Sequence, residues 1–215
     1  MRLEKIATKT IQQFMISILQ QFLFLLITYA IAAIPFGLII TKVFAHKDIR
    51  QFGSKNIGAT NVTRIAGKKL GFFTLILDGL KGAIMVVIAR FNFYDLNNLH
   101  LFLTLVGAVS VLAHVYPIYL NFKGGKGVAT AIAVLFALDF TVGLLVTCFW
   151  IMSFCLFRIS AVASLIAIFS STILSSTYGA PTVQIIFCWF LFALILIRHK
   201  ENIFQMLIKE EEKKS

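Results

Sequence analysis

The stretch "QFLFLLITYAIAAIPFGLIITKVF" (21–44) decides the fold, because it carries no charged side chain before Lys42. A run of this kind reaches the roughly 20 apolar residues that a helix needs to cross a bilayer. Further along, "FFTLILDGLKGAIMVVIA" (72–89) and "IIFCWFLFALILI" (185–197) repeat the pattern. The 215-residue chain is 59% hydrophobic and only 13% charged, with a mean hydropathy of +0.90. An ordinary soluble domain has about a quarter of its residues charged. With so much of the chain in the bilayer, no room remains for a separate soluble domain. The expectation is an all-α, polytopic membrane helical bundle forming one integral-membrane domain over 21–207. A lead-in (1–20) precedes it and a charged tail (208–215) follows.

Seven apolar segments can be drawn, at about 21–43, 70–90, 99–119, 128–139, 141–157, 161–177 and 182–198, with five or six spans as alternatives. The weak point is 128–157, whose 30 residues are few for two complete crossings of a core about 30 Å thick. A single span there would put Arg158 and the basic tail on the wrong side, so a short helical hairpin fits the charges better. Basic residues gather in the loop 44–69, in the turn at 122–127 and after residue 197, whereas "FNFYDLNN" (91–98) and "SSTYGAPT" (175–182) have neither Lys nor Arg. The positive-inside rule then puts the N-terminus outside and the C-terminus in the cytoplasm. Arg2, Lys5 and Lys9 run against that tally and are outweighed by it.

The start of the chain is basic but lacks a short apolar core followed by a small-residue cleavage site, so it reads as a retained, amphipathic lead-in. Cys148, Cys155 and Cys188 lie in apolar runs without paired spacing and read as packed small hydrophobes. The net charge of +11 would suggest nucleic acid in a soluble protein. Here basic loops that set orientation and meet anionic headgroups explain it, and no nucleic-acid partner is expected.

Polar chemistry is concentrated in a few places. "SKNIGATNVTR" (54–64) combines Ser54, Asn56, Thr60 and Arg64 with no acidic residue. It shows neither strand alternation nor an amphipathic stripe, and reads as an irregular loop that could cradle an anion, the Arg64 fork suiting a phosphate. In "NFKGGKGVAT" (121–130), Gly124, Gly125 and Lys126 open a helix. Glycines allow close backbone approach, a helix start presents free N–H groups, and Lys126 adds a full charge. The spacing is not that of a Walker A loop. Within "LDGLKGA" (77–83), Asp78 and Lys81 share a helix face, as a structural ion pair or as a polar lining inside the membrane. His114, in "AHVYP" (113–117), is a lone histidine of the packed kind. "FRISAVAS" (157–164) sets Ser160 and Ser164 one turn apart, where small residues serve helix packing equally well. Last, "IRHKEN" (197–202) places His199 and Asn202 on one face. A histidine can carry a proton near neutral pH, and an amide can donate to a developing oxyanion.

No metal-ligand spacing, nucleophile elbow or H-x-x-x-x-D pair occurs, so neither a metal nor a cofactor is expected. These residues describe a cytoplasm-facing pocket of cations and donors, suited to transfer between phosphate-bearing substrates with an already activated donor. A membrane transporter of a phosphate-bearing solute is the competing class. It predicts polar groups at mid-membrane and an internal repeat, and no repeat is visible.

"GSKNIGATNVTR", "LDGLKGA", "AHVYPIYLNFKGGKGVAT", "RISAVAS" and "RHKENI" resemble, in this order, the motifs of the bacterial acyl-phosphate:glycerol-3-phosphate acyltransferases, membrane enzymes of the PlsY type. The likeness covers roughly 24–207. Lys55 stands in place of a usual glycine, Ala113 where glycine commonly precedes the histidine, and Ala161 where a serine is often found. Spacing from the glycine-lysine motif favours Ser164 over Ser160 as the functional serine. The resemblance implies acyl transfer from acyl phosphate to the 1-hydroxyl of glycerol 3-phosphate, yielding lysophosphatidic acid and phosphate in phospholipid biosynthesis. It also implies a bacterial inner-membrane location, contact with membrane lipid and functional coupling to the enzyme that makes acyl phosphate. On this expectation Ser54, Arg64 and Lys126 bind phosphate, assisted by Asn56, Thr60 and the Gly124–Gly125 backbone. Ser164 and His199 orient glycerol 3-phosphate, and Asn202 holds the carbonyl oxygen. The base is His199 or a substrate phosphate oxygen, and Asp78, Lys81 and His114 are structural or secondary.

Overall fold

The computed structural model describes residues 2–211, and side-chain environments for residues 12–206 and 208. The C-terminal end of the charged tail, 212–215, lies outside the described residues. Among the described residues the chain is all-helical: α1 (Arg2–Ala32), α2 (Phe36–Ala45), α3 (Ala59–Ala66), α4 (Lys68–Asn92), α5 (Leu99–Val115), α6 (Val128–Leu138), α7 (Phe140–Phe157), α8 (Ser160–Thr177), α9 (Thr182–Arg198) and α10 (Lys200–Glu211). Five helical stretches are long and apolar enough to cross a membrane, or six if α9 and the bent α10 count as one crossing. The expected hairpin over 128–157 is present as α6 and α7. At 11 residues, α6 rises only about 16 Å and cannot cross alone.

Two features were not foreseen. The first apolar run bends at Pro35, which has no N–H to continue a helical ladder; α1 ends at Ala32 and α2 starts at Phe36. The stretch 54–64, expected to be an irregular loop, runs into α3, a strongly amphipathic helix. Asn61 and Val62 are buried on one side of it, where Val62 joins Leu38, Ile49 and Ile57 in a small core.

The main core lies among α4 to α9 and includes Val86, Val106, Val134, Leu135, Leu191 and Ile195. Close approach of α4 and α6 depends on two glycines, as in other membrane bundles. A Cβ on Gly82 would stand 2.7 Å from the Thr130 methyl, and one on Gly79 3.2 Å from Ala133. Outward faces carry Phe72, Ile84, Phe91, Ile173 and Ile186, all exposed, as a lipid-facing surface requires. Phe24 of α1 packs on Phe93 and Phe102, at the end of the bundle where α4 stops and α5 begins. Cys188 is packed inside, whereas Cys148 and Cys155 are exposed, and all three are free.

Asp78 and Lys81 meet inside the bundle at 2.9 Å, with side chains 3% and 2% exposed. Lys81 also donates to the Ile34 carbonyl at 2.8 Å, a group left without a helical partner by the break at Pro35. The Thr130 hydroxyl donates to the Asp78 backbone carbonyl at 2.7 Å. One ion pair thus ties the α1–α2 break to α4, while Thr130 ties α4 to α6. Lys81→Met leaves the buried carboxylate with only the His114 imidazole, 3.6 Å away, and breaking a buried pair costs about 3–5 kcal/mol. A thermal-unfolding midpoint well below wild type in detergent is expected, with partial recovery in Asp78→Asn/Lys81→Met. A single variant that melts with wild type would show that the pair holds nothing.

Candidate active site

A cavity of about 1240 Å³ opens at the end of the bundle where α3, α4, α6, α8 and α10 begin. Its polar part is lined by Ser54, Asn56, Thr60 and Arg64 from the α3 region, Lys126 from the turn before α6, and His199 and Asn202 from the α9–α10 bend. Asp78, His114, Ser160 and Ser164 also reach it. Gly124, Gly125 and Lys81 stand behind this lining.

The α3 side is built around a residue that sequence reasoning passed over. Asn61 is buried, accepts the Ser54 N–H at 3.1 Å, and donates to the Phe52 and Asn56 carbonyls at 3.0 and 2.9 Å. An unpaired amide there would be costly, so this side chain fixes the loop. Asn56 accepts the Gly58 N–H at 2.9 Å, a local turn that starts α3; that oxygen is therefore occupied. Thr60 and Arg64 are exposed on the cavity side of α3, one turn apart. Lys55 has φ +57°. L side chains adopt that left-handed conformation at a cost that glycine escapes, which gives the expected glycine its physical reason.

The glycine-lysine turn works differently from the expectation. The Gly124 and Gly125 N–H groups donate to Val115 and His114 carbonyls, each at 3.1 Å, and so are not free to cradle a phosphate. Their lack of a side chain serves packing: a Cβ on Gly125 would collide with the His114 imidazole, and one on Gly124 with the end of α5. The free amides belong to the first turn of α6, beginning at Val128. Arg198, which received no role from the sequence, donates to the Gly124 carbonyl at 3.2 Å and lies over the Tyr116 ring. The signal was its place in "IRHKEN", where it reads as a basic residue ending a span.

Lys126 donates to the Asn202 side-chain oxygen, leaving the Asn202 NH₂ as a donor. Burial pulls the Lys126 ammonium down to about 8, with Glu201 pulling the other way and Arg198 adding to the fall. His199, just past the end of α9, holds its Nδ1 on the Ile195 carbonyl at 2.8 Å. That contact makes Nδ1 the protonated nitrogen and leaves Nε2 as an acceptor. Burial, then the nearby Lys126 charge, lower the imidazole to about 4, so it is neutral at neutral pH. Ser164 is buried; it donates to the Ser160 carbonyl at 2.7 Å and accepts the Trp150 indole N–H at 3.1 Å. Ser160, half-buried, brings its hydroxyl to 3.3 Å from that of Thr60. Away from the charges the cavity continues between α4, α6 and α7, past Leu80, Ile132, Phe136, Trp150 and Phe154. One end therefore suits an anion and the other a hydrocarbon chain.

The fold and this cavity define a polytopic membrane protein whose pocket is lined by cations, hydroxyls and amides at one end of a helical bundle. The profile of the family described as glycerol-3-phosphate acyltransferase matches residues 22–209, and the chain belongs to that family. It is 39% identical over 188 residues to the glycerol-3-phosphate acyltransferase of Jannaschia sp. (strain CCS1), covering 87% of this chain and 90% of that protein. To the one from Desulfotalea psychrophila it is 41% identical over 196 residues, covering 89% and 96%. The crystal structure of PlsY (YgiH), an integral membrane glycerol 3-phosphate acyltransferase, in its glycerol 3-phosphate form superposes with a TM-score of 0.82. The identity is 39%, over 88% of this chain and 93% of that one. The lysophosphatidic acid form gives 0.80 at 38% identity, over the same shares.

The state of Lys126 sets a pH dependence. Below about 8 the amine is charged and can hold a phosphate; above it the amine is neutral. The kcat/KM for a phosphate-bearing substrate reports the free enzyme, and is expected to fall as pH rises through about 8. Lys126→Arg, whose guanidinium stays charged, should remove that alkaline limb even if overall activity drops. An unchanged limb would remove Lys126 from substrate binding.

Proposed function

We propose that this chain transfers a fatty acyl group from acyl phosphate to the 1-hydroxyl of glycerol 3-phosphate, releasing lysophosphatidic acid and inorganic phosphate. The observation that carries the reading is a single cavity that joins a cation-rich end to an apolar trough. Two phosphate-bearing substrates must be held together against their repulsion, and Arg64 and Lys126 supply the opposing charge. Thr60 and Ser54 assist from the α3 side, and the first turn of α6 supplies N–H groups. The glycerol hydroxyl oxygen attacks the acyl carbonyl carbon, the bond to the phosphate oxygen breaks, and phosphate departs with that electron pair. The hydroxyl proton passes to His199 Nε2 or to a substrate phosphate oxygen, and the Asn202 NH₂ holds the carbonyl oxygen as it gains charge. Among the described residues no serine hydroxyl is hydrogen-bonded to a histidine, which supports direct transfer over an acyl-enzyme. Acyl phosphate, a mixed anhydride, needs no such intermediate.

Purified protein given acyl phosphate and glycerol 3-phosphate should form lysophosphatidic acid and phosphate, but no product from acyl-CoA. Arg64→Ala should lower kcat/KM by about 10- to 100-fold, the worth of a charged hydrogen bond to phosphate. Flux of glycerol 3-phosphate across sealed liposomes without acyl transfer would favour a transporter.

The reading includes a bacterial inner-membrane location with the cavity facing the cytoplasm. Its support is that the basic loops at 44–69 and 122–127 adjoin the cavity end. In a cysteine-free background, an impermeant maleimide added to intact cells should label Tyr94→Cys, an exposed position at the opposite end. It should reach Lys55→Cys only after the membrane is opened. The reverse pattern would invert the orientation.

A further inference from the structure

Arg90 is a cation at the end of the bundle away from the cavity, in the last turn of α4. The loop that follows, 91–98, has neither Lys nor Arg, and the reaction above has no use for a charge there. The Arg90 Nη2 donates to the Ala137 carbonyl at 2.6 Å and to the Leu138 carbonyl at 3.1 Å. Those are the last two carbonyls of α6, groups that a helix leaves without an N–H of its own. A guanidinium satisfies both and meets the negative end of the helix dipole. Local sequence sets up the contact. Gly79, Gly82, Val86 and Arg90 follow one another at helical spacing along one side of α4, and the two glycines already face α6. Helical side chains lean toward the N-terminus of their own helix, so Arg90 reaches back to where the short α6 stops.

We propose that Arg90 is a positioning residue for the phosphate site: by holding the far end of α6 against α4, it fixes where Lys126 stands at the near end. The inference rests on the acyltransferase reading for what binds there. Its physical basis is leverage. The Thr130 hydroxyl ties α6 to the Asp78 carbonyl at 2.7 Å, and a helix tied at one point can pivot about it. Arg90 adds a second tie about 11 Å further along the axis. Without it, a swing of about 2 Å at the far end would displace Lys126, which precedes Thr130 by one turn, by roughly 1 Å in the opposite direction. A misplacement of that size can cost about 100-fold in rate. The hairpin turn offers no substitute. The Asp139 carboxylate accepts the Val142 N–H at 3.0 Å and so caps α7. Gly143 of α7 packs so closely on Phe136 that a Cβ there would collide with it, so the two helices would swing together.

Arg90→Met keeps the length of the side chain and removes its donors. In nanodiscs without substrate, hydrogen–deuterium exchange of this variant is expected to quicken across 126–138 and to match wild type in α9. Arg90→Lys, whose ammonium can meet the same carbonyls, should restore protection. Quickening confined to 134–138 would make Arg90 a cap for the last turn alone and overturn the proposal, as would wild-type exchange throughout. In the kinetics, Arg90→Met should raise KM for glycerol 3-phosphate about tenfold. Burial holds the Lys126 amine at about 8, so loosening its surroundings should move the alkaline limb of kcat/KM upward. Arg90→Lys should bring both back. A fall in kcat with KM and the limb unmoved would mean fewer folded molecules, and would equally overturn the proposal. If Arg90→Met yields no folded protein, Arg90→Gln, which keeps a shorter donor, carries the same comparisons. Product formation by the wild-type protein tests the acyltransferase reading separately, because the exchange is measured without turnover.

Discussion

The start of α6 is recessed within the bundle, and the site depends on that recess. Helices α6 and α7 leave the same turn at Asp139, where the carboxylate accepts the Val142 N–H; α6 has 11 residues and α7 has 18. The seven-residue difference corresponds to about 10 Å of helix. Lys126 and the free amides of α6 therefore lie below the level reached by α7, and the space above them is the cavity. A longer α6 would fill it. Two interactions keep α6 at that depth: the close approach permitted by Gly79 and Gly82, and the Thr130 hydrogen bond to Asp78. The buried Asp78–Lys81 pair at 2.9 Å thus acts on the site from behind. Removing it would disturb the recess before it touched a reacting atom.

Much of this was legible because a bilayer allows few solutions. Apolar length, basic loops and the short interval 128–157 are enough to expect a bundle with a hairpin, since unsatisfied backbone is not tolerated in lipid. Local polar geometry was not legible. Asn61 looked like its neighbours in "SKNIGATNVTR" because nothing in sequence distinguishes an amide facing a ligand from one that ties three backbone groups together. The same limit affected Gly124 and Gly125: glycine permits close approach, but the partner can be an anion or the end of α5, and here it is α5. Helix α3 was missed because its apolar face is one turn long and its neighbours are Gly58 and Gly67. At Lys55 the φ of +57° accounts for the glycine expected there, not for the lysine that replaces it.

Positive charge outweighs negative among the groups that line the cavity. Asp78 is engaged by Lys81, so it does not neutralise the cavity. Lys126 and Arg198 remain close together, and each lowers the affinity of His199 for a proton. A bound phosphate would reverse these effects. It would add negative charge to that of Glu201, hold Lys126 protonated and raise the basicity of His199. A histidine at about 4 is a weak base; beside two phosphates it would be a stronger one. On the proposed reading, such a site becomes competent only as it fills, so no strong base stands ready beforehand to activate water.

This coupling bears on the choice between His199 and a substrate oxygen as the proton acceptor. With Nδ1 committed to Ile195 at 2.8 Å, only Nε2 can receive a proton, and the resulting imidazolium would sit beside Lys126 and Arg198. That is tolerable only while phosphate charge is present. Departure of inorganic phosphate would then drive the proton off again, since the cations it leaves disfavour a charged imidazole. A phosphate oxygen acting as base avoids the cost but carries the proton away with it. Both routes converge on one physical requirement: the cations must be offset by substrate before the hydroxyl is deprotonated. On the proposed reading, headgroup binding and proton transfer are therefore linked through Lys126.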